Sequence, residues 1–176
     1  MKPPEILETE RLLLRPPAIE DAKLIFEQYA QDVEVTRYLV WKPHSSIEET
    51  QEFLLGCLSA WSDGDRFPWA ILLKADNSLI GMVELRYEHG ATFGYVLGKK
   101  FWGCGYMPEA VRSLIDWALQ QKSIYRVWSI CDVENFASAR VLEKVGMQRE
   151  CVLQRWSVHP NISNEPRDCY CYAKVK

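Results

Sequence analysis

Phe93-Gly94-Tyr95-Val96-Leu97-Gly98-Lys99-Lys100-Phe101-Trp102-Gly103-Cys104-Gly105-Tyr106-Met107-Pro108-Glu109-Ala110 runs from an aromatic, β-branched segment through two close glycines into a helical pattern. Ala91 to Leu97 predicts a strand. From Met107 to Gln121 the apolar residues Ala110, Val111, Leu114, Ile115, Ala118 and Leu119 recur at helical spacing, with Pro108 tolerated in the first turn. The loop between them holds Gly103 and Gly105, which let the backbone take unusual dihedrals and approach a ligand closely. A strand, a glycine loop and a helix N-terminus together offer inward N–H groups and a positive dipole end, a cradle suited to pyrophosphate. Lys99 and Lys100 add positive charge beside it. The loop is too short for a dinucleotide G-x-G-x-x-G, since position 108 is proline, and it lacks the G-K-[ST] of a P-loop. By itself the same motif also reads as a plain turn.

Outward from this stretch the pattern stays mixed. Phe67 to Lys74 and Ser78 to Tyr87 predict two strands of a hairpin turning at Ala75-Asp76-Asn77. Further upstream, Ser46 and Glu49 form a capping box that opens a helix running to about Trp61 and ending near Asp63-Gly64. Arg11 to Arg15 predicts a short strand stopped by Pro16 and Pro17, and Ile19 to Ala30 a helix with Glu20 and Asp21 in its first turn. Downstream come a strand over Tyr125 to Asp132, a helix over Asn135 to Val145 stopped by Gly146, and two further strands. No repeat or linker divides the chain, so residues 1–176 read as one α/β (α+β) domain: antiparallel hairpins, then a strand–helix–strand crossover.

The 176 residues are 48% apolar and 26% charged, which suits a globular domain with a sizeable core. A net charge of −3 argues against nucleic acid or anionic lipid as a partner, and no basic patch with interleaved aromatics appears. Nowhere is there an apolar run of membrane-spanning length, and Met1 to Arg15 lacks the pattern of a signal peptide. The six cysteines, Cys57, Cys104, Cys131, Cys151, Cys169 and Cys171, have no C-x-x-C spacing, and His44, His89 and His159 do not cluster with them. Free thiols in a reducing cytoplasm, and no metal, are the expectation.

A second segment gives the glycine loop its meaning. Asp132-Val-Glu-Asn135-Phe-Ala-Ser138 puts Asn135 and Ser138 one turn apart at a helix start, where both residue types are also ordinary caps. Lys100-x-x-Gly103-x-Gly105 resembles the Q/R-x-x-G-x-G/A loop of the GNAT N-acetyltransferase superfamily. Asn135-x-x-Ser138-x-x-x-x-Glu143-Lys144-x-Gly146-Met147 is similar to the N-x-x-S-x-x-x-x-E-K-x-G-F block of its RimJ/RimL-like branch, the ribosomal-protein N-terminal acetyltransferases and their relatives. Glu8-Thr-Glu-Arg-Leu-Leu-Leu-Arg15 also looks like that branch's opening strand, so the resemblance covers nearly the whole chain.

The resemblance implies a GNAT fold, a mixed and mostly antiparallel sheet of about seven strands flanked by about four helices. It implies an acetyl-CoA-dependent N-acetyltransferase that moves an acetyl group to a protein N-terminal α-amine or a small-molecule amine by direct transfer. A catalytically silent acyl-CoA-binding sensor on the same fold is the alternative. Coenzyme A contacts would come from Tyr95, Val96, Leu97, Lys100, Phe101, Trp102, Gly103, Cys104, Gly105, Tyr106, Asn135 and Ser138. A backbone N–H near Tyr95 to Leu97 would stabilise the oxyanion. Ser138 would hydrogen-bond the departing sulfur and Asn135 orient the pantetheine arm. Trp41 and His44 lie where this branch places its acceptor loop and would line the amine pocket. Two positions depart from the family: the loop opens with Lys100, and Leu142 stands where many relatives carry a tyrosine acid. Glu84, sharing strand parity with Ile80 and Met82, is the candidate base; a pairing with Arg86 or a cross-strand cation is the competing reading, and Glu134 is a rival. Either a monomer or a homodimer fits.

Overall fold

The computed structural model describes residues 2–64 and 66–176. Eight strands form one sheet: β1 (Leu7–Glu8), β2 (Leu12–Arg15), β3 (Arg66–Leu73), β4 (Leu79–Arg86), β5 (Ala91–Leu97), β6 (Arg126–Asp132), β7 (Gln148–Val158) and β8 (Pro166–Val175). Their order is β1-β2-β3-β4-β5-β6-β8-β7, and among the described residues only β5 and β6 run parallel. This is the mixed, mostly antiparallel sheet of a GNAT fold, with the two-residue β1 added to the predicted set.

Four α-helices cover the sheet: α1 (Ala22–Ile25), α2 (Ile47–Asp63), α3 (Tyr106–Gln120) and α4 (Phe136–Lys144). One face packs on α1 and α2 through Ile25, Leu54, Cys57, Ala70 and Met82. The other packs on α3 and α4 through Trp69, Leu85, Phe93, Val111, Ile115 and Leu142. Being covered on both sides explains why β3 reads Phe67-Pro-Trp-Ala-Ile-Leu72, an apolar run without alternation. Pro68 is tolerated there because β2 ends at Arg15, opposite Ala70, and leaves β3 locally without a neighbour on that side.

Half of the predicted capping box is present: Ser46 Oγ accepts the Glu49 N–H at 3.3 Å and opens α2, but the Glu49 carboxylate takes the Ser45 N–H at 2.7 Å rather than that of Ser46. Gly64 ends the helix in a left-handed conformation. Two expectations need correction. The helix over 19–30 is broken into a 3₁₀ turn (Ile19–Asp21), α1, and a π turn (Phe26–Ala30). The wider π turn sets Tyr29 and Ala30 in the core beside the loop that follows. Glu84 does not share a face with Ile80. A bulge leaves Ile80 without a partner between Gly81↔Ile71 and Leu79↔Leu72, so Ile80 faces α3 while Met82 faces α1.

Candidate active site

The cleft begins where β5 and β6 part. They pair only at Ala91↔Val127 and Thr92↔Trp128, and among the described residues no further ladder joins them. At the fork, Ser129 Oγ donates to the buried Phe93 carbonyl at 2.8 Å. Beyond it β5 stays bonded to β4 as far as Leu97, and β6 to β8 as far as Asp132. The facing edges of β5 and β6 therefore keep unpaired backbone groups, which need polar partners. The cleft continuing from this fork measures about 1240 Å³.

The glycine loop closes one end. After β5, Lys99–Phe101 make a 3₁₀ turn, and Trp102 Nε1 donates to the Leu97 carbonyl at 2.7 Å, folding the loop back on the strand. Gly103 and Gly105 both sit left-handed, at φ 77° and 81°, which any side chain would strain. A β-carbon on Gly103 would meet nothing within 4 Å, so this backbone is open to a ligand. Gly105 begins α3 without a side-chain cap, leaving first-turn N–H groups and the dipole facing the cleft.

Residues the sequence reading passed over hold this loop. Glu109 accepts from Thr9 Oγ1 at 2.5 Å, from the Arg11 N–H at 2.9 Å and from Arg11 Nε at 2.7 Å. Arg11 also donates to the Cys104 carbonyl at 3.1 Å and lies 4.6 Å over the Tyr106 ring. Burial pushes the Glu109 carboxyl up, but the hydrogen bonds from Thr9 and Arg11 outweigh it and hold it below the usual range.

On the opposite wall, Asn135 Oδ1 accepts the Ser138 N–H at 3.1 Å and caps α4, which leaves its amide nitrogen for another partner. Ser138 Oγ lies 2.7 Å from the Tyr95 hydroxyl. Leu142 is fully buried in the core rather than lining the cleft.

The far end is built by the segment between the π turn and α2. Trp41, His44 and Phe53 form an aromatic group, with the Trp41 and His44 rings 5.0 Å apart. His44 Nδ1 lies 2.8 Å from Thr50 Oγ1, whose own hydrogen goes to the Ser46 carbonyl. Thr50 therefore accepts from Nδ1–H, and the His44 Nε2 lone pair stays free. Burial lowers the His44 pKa, with Glu49 opposing. Glu84 is held by Arg66 and Arg86, each at 3.2 Å, and Glu134 by Arg167 at 2.8 Å.

Of the site residues named from the sequence, Lys99, Lys100, Cys104 and the rival base Glu134 do not line this cleft, and the others do. Lys99 is bonded to Glu34 at 2.5 Å, and Lys100 lies over the Phe101 ring in a depression shared with Glu27 and Gln28. The cations lining the cleft are instead Arg37, Arg66 and Arg86, with Arg140 and Lys144 of α4. The β7–β8 connection supplies a further missed residue. Asn161 Nδ2 donates to the Thr36 and Trp41 carbonyls, at 2.7 and 2.8 Å, tying down the segment that carries Trp41 and His44. No periodicity could link it to a segment 120 residues earlier; its only sequence signal is an amide in the turn-like His159-Pro160-Asn161.

The sequence profile of the Acetyltransferase (GNAT) domain matches residues 11–148. An uncharacterized N-acetyltransferase, p20 of Bacillus licheniformis, is 33% identical over 156 residues, spanning 85% of this chain and 86% of its own. A GNAT-family acetyltransferase from Bacillus anthracis superposes with a TM-score of 0.84 at 26% identity, over 97% of this chain and 98% of its own. RimL, a ribosomal L7/L12 α-N-protein acetyltransferase solved with coenzyme A, superposes at 0.85 with 22% identity, over 97% and 98%, which is likeness of fold.

Proposed function

This chain belongs to the GNAT acetyltransferase family and is an acetyltransferase, and on that premise we propose that it transfers the acetyl group of acetyl-CoA directly to an amine. The observation carrying the reading is the continuity of the β5–β6 fork with the glycine loop ahead of α3. The fork offers unpaired strand edges to the amide-bearing pantetheine arm. The open Gly103 backbone and the uncapped α3 terminus suit the pyrophosphate, with Arg140 and Lys144 supplying charge for the remaining phosphate.

The acetyl group then lies near Tyr95 to Leu97, where a free strand N–H takes the oxyanion. The amine enters from the side of Trp41 and His44, and an aromatic wall suits a cation before it loses its proton. Both arginines on Glu84 favour an ion-pair role for that carboxylate over proton transfer. His44 Nε2, neutral and with its tautomer fixed by Thr50, suits the base better. Ser138 donates to the departing sulfur and Asn135 Nδ2 steadies the arm. The acceptor is an α-amine or a small-molecule amine; the relative RimL acts on a ribosomal protein, and this chain's own acceptor half decides which class it takes.

Calorimetric titration with acetyl-CoA, followed by a thiol-release screen against pooled amines and N-terminal peptides, tests this. Binding with turnover is expected. Binding without turnover on any acceptor points to the silent sensor, and no binding removes the reading altogether.

A further inference from the structure

Tyr95 and Ser138 meet across the cleft from opposite walls. The Tyr95 hydroxyl lies 2.7 Å from Ser138 Oγ and 3.3 Å from the Ser138 carbonyl oxygen. A carbonyl oxygen only accepts, so the phenol is the donor at the longer contact, while at the shorter one either hydroxyl can donate. Burial raises the Tyr95 pKa, so the phenol keeps this hydrogen throughout the neutral range. With the phenol donating at the shorter contact, Ser138 Oγ accepts and its own hydrogen is left to turn outward. The Cys131 thiol beside it, pushed up to about 12 by burial, is protonated and a weak acceptor.

We propose that Tyr95 is a positioning residue for thiolate release: its hydroxyl fixes Ser138 so that the serine hydrogen faces the sulfur of coenzyme A. The proposal rests on the acetyl-transfer reading above. In the step, the nitrogen–carbon bond forms and the carbon–sulfur bond breaks, with the bonding pair staying on sulfur. The amine proton passes to the base and then to water. The thiolate leaves as an anion stabilised by the Ser138 donor and is protonated later from solvent. An isolated serine hydroxyl rotates freely; one held by a second donor is both oriented and polarised. A tyrosine from β5 thus supports the leaving group, a task that Leu142, sealed in the core, does not serve.

The test needs no acceptor. Coenzyme A is bound to the wild-type protein, to Tyr95→Phe and to Ser138→Ala, and the thiolate absorbance is followed from about pH 6 to about pH 10. The desulfo-coenzyme A complex serves as reference and cancels the protein thiols. In the wild type the bound thiol should titrate about one pH unit below free coenzyme A, and in both variants it should return to the free value. Desulfo-coenzyme A should still bind both variants, so that the thiol titration is read on occupied sites. In turnover, Tyr95→Phe should lower kcat about tenfold with KM for acetyl-CoA unchanged, and the double variant should be no slower than Ser138→Ala. A bound thiol that titrates in Tyr95→Phe as in the wild type overturns the proposal, as do single-variant losses that multiply. Failure of coenzyme A to bind the wild type is a separate result, which removes the acetyl-transfer reading and this proposal with it.

Discussion

Gly81 and Gly103 are glycines for different reasons, and the difference can be measured. A β-carbon on Gly81 would lie 2.2 Å from the Val96 carbonyl oxygen and 3.0 Å from Leu97 Cα, both backbone atoms of β5. Gly81→Ala must therefore push β4 off β5 behind the cleft, and we expect a loss of about 2–3 kcal/mol in denaturant unfolding. Gly103 has open space but a left-handed φ, so Gly103→Ala strains the loop by about 1–2 kcal/mol without touching the core. Its unfolding free energy should fall by no more than that strain, less than in Gly81→Ala, while coenzyme A affinity falls about tenfold by calorimetry. Equal affinity in Gly103→Ala and wild type would remove the loop from the binding site. His44 and Glu84 divide in a similar way. Glu84→Gln breaks two surface ion pairs and should keep turnover within about threefold. His44→Asn removes the free Nε2, and we expect kcat to fall by about a hundredfold, with loss of the acid limb of its pH profile. The reverse ranking would return the base to Glu84.

Among the elements, periodicity and caps marked strands and helices well, because each depends on residues close in sequence. The Ser46–Glu49 box, the Gly64 and Gly146 stops and the apolar stripe of α3 are all local signals. The glycine loop and the Asn135–Ser138 pair were legible for the same reason. What escaped depends on distant partners. The Ile80 bulge appears only when β3 is set beside β4, and it reverses the face expected for Ile80. The charges of Lys99 and Lys100 were visible, but not that Glu34 and the Phe101 ring would draw them off the cleft. The Thr9–Arg11–Glu109 group joins the opening strand to the start of α3, so its residues read in sequence as unrelated charges. Asn161 belongs here as well. With both its donor bonds reaching the segment of Trp41 and His44, Asn161→Ala should free that segment alone. We expect KM for the acceptor amine to rise about tenfold while acetyl-CoA affinity stays at the wild-type value. Equal weakening of both ligands would show that the connection steadies the whole cleft.

Across the whole molecule, the buried titratable groups set a window of pH in which the fold is most stable. Burial lowers the pKa of His159, with Asp132 partly opposing, and burial likewise lowers that of His44. As pH falls through the ordinary histidine value of 6.5, the unfolded chain takes up protons that these two side chains refuse, so stability drops. A second decline follows at lower pH. Burial pushes the Asp132 carboxyl up, but Arg167 outweighs it and holds it below its ordinary 3.8, so its contribution is present above that value and lost beneath it. On the alkaline side, burial pushes the Cys57 and Cys131 thiols up from 9.0 to about 12. Stability is present below 9.0 and lost as pH rises above it, where the unfolded thiols ionise and the folded ones do not. The fold should therefore be most stable between about pH 7 and about pH 8.5, falling away on both sides. Urea midpoints measured across this range check the shape. The His44→Asn, His159→Gln double variant should flatten the fall between about pH 7 and about pH 5.5, and Cys57→Ala should blunt the fall above about pH 9. An acid limb just as steep in the double variant would mean that other groups, not these two imidazoles, set the lower edge of the window.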